Sequence, residues 1–458
     1  MGGQRLAALV AFLSVAIAGA HPFASFDGHG PRAASDPQNF VRVISPHLNP
    51  LDLTVALRSA RKGDLAAGIG SASYLARGHW TMLPSSPLPP RMGAAELWTG
   101  KQLFVWGGFT KQQIYEQTIP RSYGRSPGGA LYSPYTRSWS LLPPSPLAPR
   151  TDIAAVWTGK IAVLWGGDRE TFGHGSLRVY GDGAAYSPTE HRWRTLPPAP
   201  ISARLASAVL WTGSRVVVIS GLTRPGGLLL NGAAFDPSTW KWSRMPQLLI
   251  DHRGLLVSAD FVWTGKRLVA FLEYQITTRL TKDSFSLSAY GPVAELRPGA
   301  TSWTFLRPAP EWVSTLGATT IWTGSRILVV DATACLPGEK CPGQDDADTV
   351  NVFDPTTDSW SRWPPNAVAS DAGPVVWTGR ALYAMNETMS SSQDNLALGD
   401  GVAYDPSSQK WLAVPKIPCS SPGGPTLLWT GESVLYFGLA GAQNWTNCGA
   451  ILVPSPHP

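Results

Sequence analysis

Ala94-Ala95-Glu96-Leu97-Trp98-Thr99-Gly100-Lys101-Gln102-Leu103-Phe104-Val105-Trp106-Gly107-Gly108 is the fullest copy of a unit that recurs along the chain. Its Trp-Thr-Gly core returns at Trp157, Trp211, Trp263, Trp322, Trp377 and Trp429, at successive spacings of 59, 54, 52, 59, 55 and 52 residues. A repeat of this length, made of short apolar runs and tight turns, predicts one sheet per copy and a β-propeller rather than separate domains. A small-residue strand leads into the Trp, and the Gly supplies the positive φ of a tight hairpin. A second apolar run follows in every unit, from Leu103 to Trp106 in the first and Val434 to Phe437 in the last. These are read as strands a and b.

Further along each unit an aromatic or aliphatic residue stands two places before a Pro, and a second Trp stands five places after it. Six copies are visible: Pro134 with Trp139, Pro188 with Trp193, Pro237 with Trp242, Pro298 with Trp303, Pro355 with Trp360 and Pro406 with Trp411. Asp236, Asp354, Asp405, Ser133 or Ser187 precedes its Pro, the side-chain acceptor and fixed φ of a turn between strands c and d. Trp80 carries the outer-strand signature ahead of the first Trp-Thr-Gly, while Gly449 to Pro454 ends the chain on a third strand with no outer Trp after it. The expected fold is therefore all-β: a seven-bladed propeller of four-stranded antiparallel blades, the last blade closed by an N-terminal outer strand so that no sheet edge is left free. Its fourteen repeat tryptophans are expected to be packing residues buried between blades.

The glycine pair after an apolar strand, the aromatic with Asp-Pro and the delayed Trp together resemble the Kelch repeat, best in Leu103 to Gly108, Phe353 to Trp360 and Tyr404 to Trp411. The resemblance covers nearly all of residues 66–458. Two departures are plain: later units keep only Gly221 and Gly438 of the glycine pair, and the period is longer than a minimal repeat. Kelch propellers include scaffolding and carbohydrate-binding modules, the central domain of galactose oxidase and a bacterial sialic acid mutarotase, so the resemblance implies fold rather than activity.

The first twenty residues read as a secretory signal: Arg5, an apolar run from Leu6 to Ala16, then Ala18-Gly19-Ala20 before His21. An uncleaved anchor is the alternative, but the run is short of the roughly 20 residues a bilayer needs. Cleavage would leave a secreted protein with no membrane insertion, and residues 21–65 would form a leader lying against the propeller, with one short helix from Leu51 to Ala60. Four cysteines suit an oxidising compartment. Three pairings are possible; Cys335 with Cys341 and Cys419 with Cys448 are preferred because each pair lies in one insert or one repeat. Zinc is the competitor, and His457 is the histidine nearest to these pairs. The net charge of +6 is mild, with no lysine-rich run, so no nucleic acid partner is expected. A monomer without cofactors is expected, with an acidic glycan or a protein as partner.

In a propeller the a–b and c–d turns share one face, and the variable b–c and d–a connections share the other, where adaptable sites sit. Arg91, Arg150 and Arg204 occupy one repeat position there, seven residues before the motif Trp; later blades carry Leu256, Thr315, Ser370 and Pro422. The functional reading is a cluster that pairs with a carboxylate or sulfate through forked donors. The structural reading is that each arginine bonds backbone carbonyls or a neighbouring blade. Lys111, Tyr115, Arg121, Tyr123 and Arg125 in blade 1, and Arg169, His174, Arg178 and Tyr180 in blade 2, suit an acidic sugar or form solvated loops. Asp152 and Glu96 are the carboxylates that would converge with an arginine in an enzyme of the mutarotase or lyase type. Glu339, Asp345, Asp346 and Asp348 form an acidic insert that either binds Ca²⁺ or is exposed charge, with no complete ligand loop. No copper set of the galactose oxidase kind is recognisable, and no catalytic residue is assigned.

Overall fold

A computed structural model describes residues 72–110, 128–170, 177–223, 226–250, 254–279, 285–310, 313, 318–330, 350–364, 372–389, 396–419, 425–440 and 446–454. The expected signal segment, leader and leader helix, Lys111, Tyr115, Arg121, Tyr123, Arg125, His174, the expected pair Cys335 and Cys341 and the acidic residues Glu339, Asp345, Asp346 and Asp348 all lie outside the described residues.

The Thr of the repeated tripeptide explains why the hairpin forms. Thr99 donates its N–H to the Gln102 carbonyl (2.9 Å), and its hydroxyl oxygen accepts from the Gln102 N–H (3.0 Å). Thr212 with Arg215, Thr378 with Ala381 and Thr430 with Ser433 repeat the pattern. The following glycine is left-handed every time, from φ 81° at Gly265 to 100° at Gly324. The strand c–d turns follow the same logic, with Asp236 Oδ1 accepting from the Ser238 and Thr239 N–H groups and Asp354 Oδ1 from Thr356 and Thr357. An Asx turn of this kind satisfies backbone donors locally, so each turn is specified by its own few residues.

Seven sheets result, each an antiparallel a-b-c-d ladder. Blade 1 comprises Arg91–Trp98, Leu103–Thr110, Gly129–Ser133 and Ser138–Leu141. The inner strands of the next five blades are Ala154–Trp157, Ala208–Trp211, Leu255–Trp263, Thr319–Trp322 and Ala372–Trp377. Blade 7 joins Thr426–Trp429, Val434–Ala440 and Thr446–Val453 to the N-terminal His79–Met82, with Trp80 opposite Leu452. Successive inner strands touch, and the strand of blade 7 touches that of blade 1, which closes the ring. A four-residue helix, Ser73–Ala76, packs its Tyr74 and Leu75 into the core at blades 6 and 7.

A second ring of bonds lies at the rim. The indole N–H of each outer Trp donates to the carbonyl four residues beyond the outer Trp of the preceding blade: Trp193 to Pro143, Trp242 to Pro197, Trp411 to Pro364. Trp80 reaches Pro415 (2.7 Å) and Trp139 reaches Pro84 (3.0 Å), so the ladder runs through the seam between the chain ends.

This geometry corrects the expectation that all repeat tryptophans are buried. The outer set is half-buried because its N–H groups must reach carbonyls at the blade edge, and in the motif set only Trp157 and Trp377 are fully packed. The deepest aromatic side chains are instead those of strands b and c, among them Trp106, Trp165, Tyr132, Tyr186, Phe104, Phe235 and Phe271. Cys419 and Cys448 are bonded, tying the connection from blade 6 to strand c of blade 7 across 29 residues. Closing a loop of that length stabilises the fold by roughly 3–4 kcal/mol in the chain-entropy account.

Candidate functional site

The b–c connections expected to vary are extensions of the strands themselves. Blade 2 carries the ribbon Asp168–Glu170 with Leu177–Val179, and blade 3 carries Leu222–Thr223 with Gly226–Leu228. In blade 4, Phe285–Tyr290 pairs with the end of Leu268–Arg279; in blade 6, strands Leu382–Met389 and Leu396–Asp405 run past the blade together.

At the root of these ribbons stand the three repeat-equivalent arginines, and all three are buried. Each makes the same two bonds: Nε to the carbonyl two residues earlier (Pro89, Ala148, Ser202) and Nη1 to the carbonyl sixteen residues later (Gly107, Gly166, Ser220). The guanidinium thus ties the start of strand a to the end of strand b. The carbonyls of Arg150 and Arg204 in turn accept from Gly108 and Gly167 of the preceding blade (both 3.0 Å). The glycine pairs are needed for this approach. Gly107 and Gly166 have φ of 78° and 73°, and a Cβ on them would stand 2.8 and 2.6 Å from those carbonyl oxygens. Where blade 3 has lost the first glycine, Ser220 takes its left-handed place at φ 63°.

Beyond this shared frame the three differ. Arg150 grips Asp182 with both arms, Nη1 to Oδ1 at 2.7 Å and Nη2 to Oδ2 at 3.2 Å, and stacks 3.8 Å over the Tyr180 ring. Burial alone would raise the Asp182 carboxyl; the hydrogen bonds and charge of Arg150 outweigh it and hold that carboxyl below its ordinary range. Arg204 closes on the Asn231 Oδ1 (2.8 Å) and the Ser202 hydroxyl (3.1 Å), and desolvation lowers its pKa to about 10. Among the described residues Arg91 has no side-chain acceptor, its Nη2 is buried without a hydrogen-bond partner, and desolvation lowers it to about 10 against the opposing charge of Glu96.

The acceptors Asp182 and Asn231 were not singled out in the sequence as partners, although both stand immediately before the first glycine of strand c. That position was the available signal. Asp152 sits in a left-handed backbone conformation (φ 47°) and its carbonyl accepts from Ala206; the carboxylate on Arg150 is that of Asp182. Arg169 stands directly opposite Arg178 on the blade 2 ribbon, and the Arg178 guanidinium lies 5.2 Å from the centre of the Tyr180 ring.

Two carboxylates of the inner strands are strongly perturbed. Glu96 bonds the Thr426 hydroxyl across the seam between blades 1 and 7; desolvation pushes it up to about 8 against that bond and the charge of Arg91. Asp260, buried on the inner strand of blade 4, is pushed up to about 8 by desolvation and by the like charge of Glu273 on strand b. Among the described residues no group of three or more His, Cys, Asp or Glu side chains is placed to hold a metal ion.

No protein-family model matches this chain, and no curated protein matches it in sequence. Among solved structures, one titled as the structure of YjhT aligns over 73% of this chain and 100% of its own, with 14% identity and a TM-score of 0.46.

Proposed function

We propose that this chain is an exported Kelch-like propeller that acts as a binding module for acidic carbohydrate of the cell exterior or envelope, using the ribbon face of blades 1 to 3. The observation that supports it best is the placement of Arg169 directly opposite Arg178 on the blade 2 ribbon. Two arginines at facing positions of one ribbon offer paired forked donors that suit a ligand carrying anionic groups. Arg178 is exposed and Arg169 half-exposed, so both can be changed without cutting into the blade. Replacing both with Ala is expected to weaken binding to acidic glycans on an array about tenfold and leave neutral glycans untouched. Unchanged binding of the acidic set would defeat this reading.

A second reading, a carbohydrate-active enzyme of the mutarotase or lyase type, is favoured by Glu96. A carboxyl lifted to about 8 holds a proton at neutral pH and can deliver it. On that reading Glu96→Gln abolishes an anomer interconversion or elimination that wild type performs on an acidic sugar, followed by proton NMR. Equal rates in the two proteins would remove it.

A further inference from the structure

We infer that Arg91 is the anchor of an anion site at the start of blade 1, which takes one carboxylate of an acidic sugar as Arg150 takes Asp182 in blade 2. This deepens the acidic-ligand reading above and rests on it.

The internal repeat supplies the comparison. In blades 2 and 3 the residue before the first glycine of strand c, Asp182 or Asn231, gives the arginine its side-chain acceptor. Gly128 holds that place in blade 1, so that position supplies no side chain to the fork. Ser202, which takes the second arm of Arg204, is matched by Pro89, which has no hydroxyl to offer.

Arg91 nevertheless keeps both frame bonds, Nε to Pro89 (3.1 Å) and Nη1 to Gly107 (2.9 Å), so its guanidinium is fixed at the root of the blade as in its two relatives. Only 8% of the residue is exposed, and its Nη2 has no partner. An ionic donor left unpaired in such a place costs free energy that an anion would recover. Glu96 does not supply that anion, because it bonds Thr426 and is largely protonated at neutral pH.

A second unpartnered donor borders the same place. The Trp106 indole N–H has no acceptor among the described residues, and the ring itself fills part of the space at Gly128: its nitrogen lies 2.8 Å from where a Cβ would stand, so a side chain there must push the ring aside. The place borders solvent, although its two donors are covered: Gly128 is partly exposed, and Asp182 at the matching position of blade 2 has 59% of its side chain exposed.

Calorimetric titration of the full chain with glucuronate, and with its neutral amide glucuronamide, tests this. Wild type is expected to bind the acid and not the amide. Gly128→Asp, which brings the blade 2 carboxylate to this position and pushes the Trp106 indole aside, is expected to weaken glucuronate binding at least about tenfold. Arg91→Lys keeps the charge but loses the fork, and should weaken binding similarly; it decides the matter if the Asp variant fails to fold. Absence of glucuronate binding in wild type, or binding undiminished in Gly128→Asp or Arg91→Lys, overturns the site. Variants at Arg169 and Arg178 separate the two ideas. If they abolish glycan-array binding while Gly128→Asp leaves glucuronate binding intact, the ribbon surface stands and the Arg91 site falls; the reverse pattern sinks the ribbon surface alone.

Discussion

Between pH 5 and pH 8.5 the stability advantage of Asp260→Asn over wild type is expected to grow by about 2–4 kcal/mol, read from guanidinium chloride midpoints at each pH. The ordinary value for this carboxyl is 3.8, and in the fold it is about 8. Across that interval the folded protein holds a proton on Asp260 that the unfolded chain has already released. A raised folded value therefore gives stability that is complete below about pH 4 and is lost as pH climbs toward 8. Asn keeps the shape and does not ionise, so its curve lacks this slope. The cause is desolvation first and the neighbouring Glu273 second, both consequences of placing two acids on adjacent strands at the buried centre of blade 4. A difference that stays constant across the range would show that Asp260 is not the titrating group.

Arg150→Met should cost about 2–4 kcal/mol, and Arg91→Met about 1 kcal/mol or less, although the two arginines occupy the same repeat position. Removing Arg150 strips donors from the carbonyls of Ala148 and Gly166, takes the stacked cation off Tyr180 and releases Asp182. The released carboxylate is 59% exposed and regains water, so the loss comes mainly from the buried backbone acceptors. Removing Arg91 frees the corresponding carbonyls of Pro89 and Gly107 but also removes a buried charge that no described side chain pairs with. Denaturant midpoints at unchanged slope measure both. Equal losses would mean that the buried charge of Arg91 is no worse compensated than that of Arg150.

The architecture was legible because its determinants act over a few residues. Trp-Thr-Gly codes a turn through bonds three residues apart, and the Asp-Pro and Ser-Pro steps code another within the same span. Strand b is marked by apolar continuity alone. Copied seven times, such local signals identify each sheet, and the stray Trp80 then identifies the blade that the two chain ends share.

What the arginines and acids do was decided only on folding. Arg150 meets Asp182 across 32 positions of chain, and Glu96 meets Thr426 from opposite ends of the sequence. The indole ladder likewise joins atoms of different blades, which no single copy of the repeat contains. Position in the repeat showed that Arg91, Arg150 and Arg204 are equivalents. It took the packed sheets to set them apart, because a guanidinium's state depends on which acceptors surround it and how much water is left, and both are properties of the assembled ring.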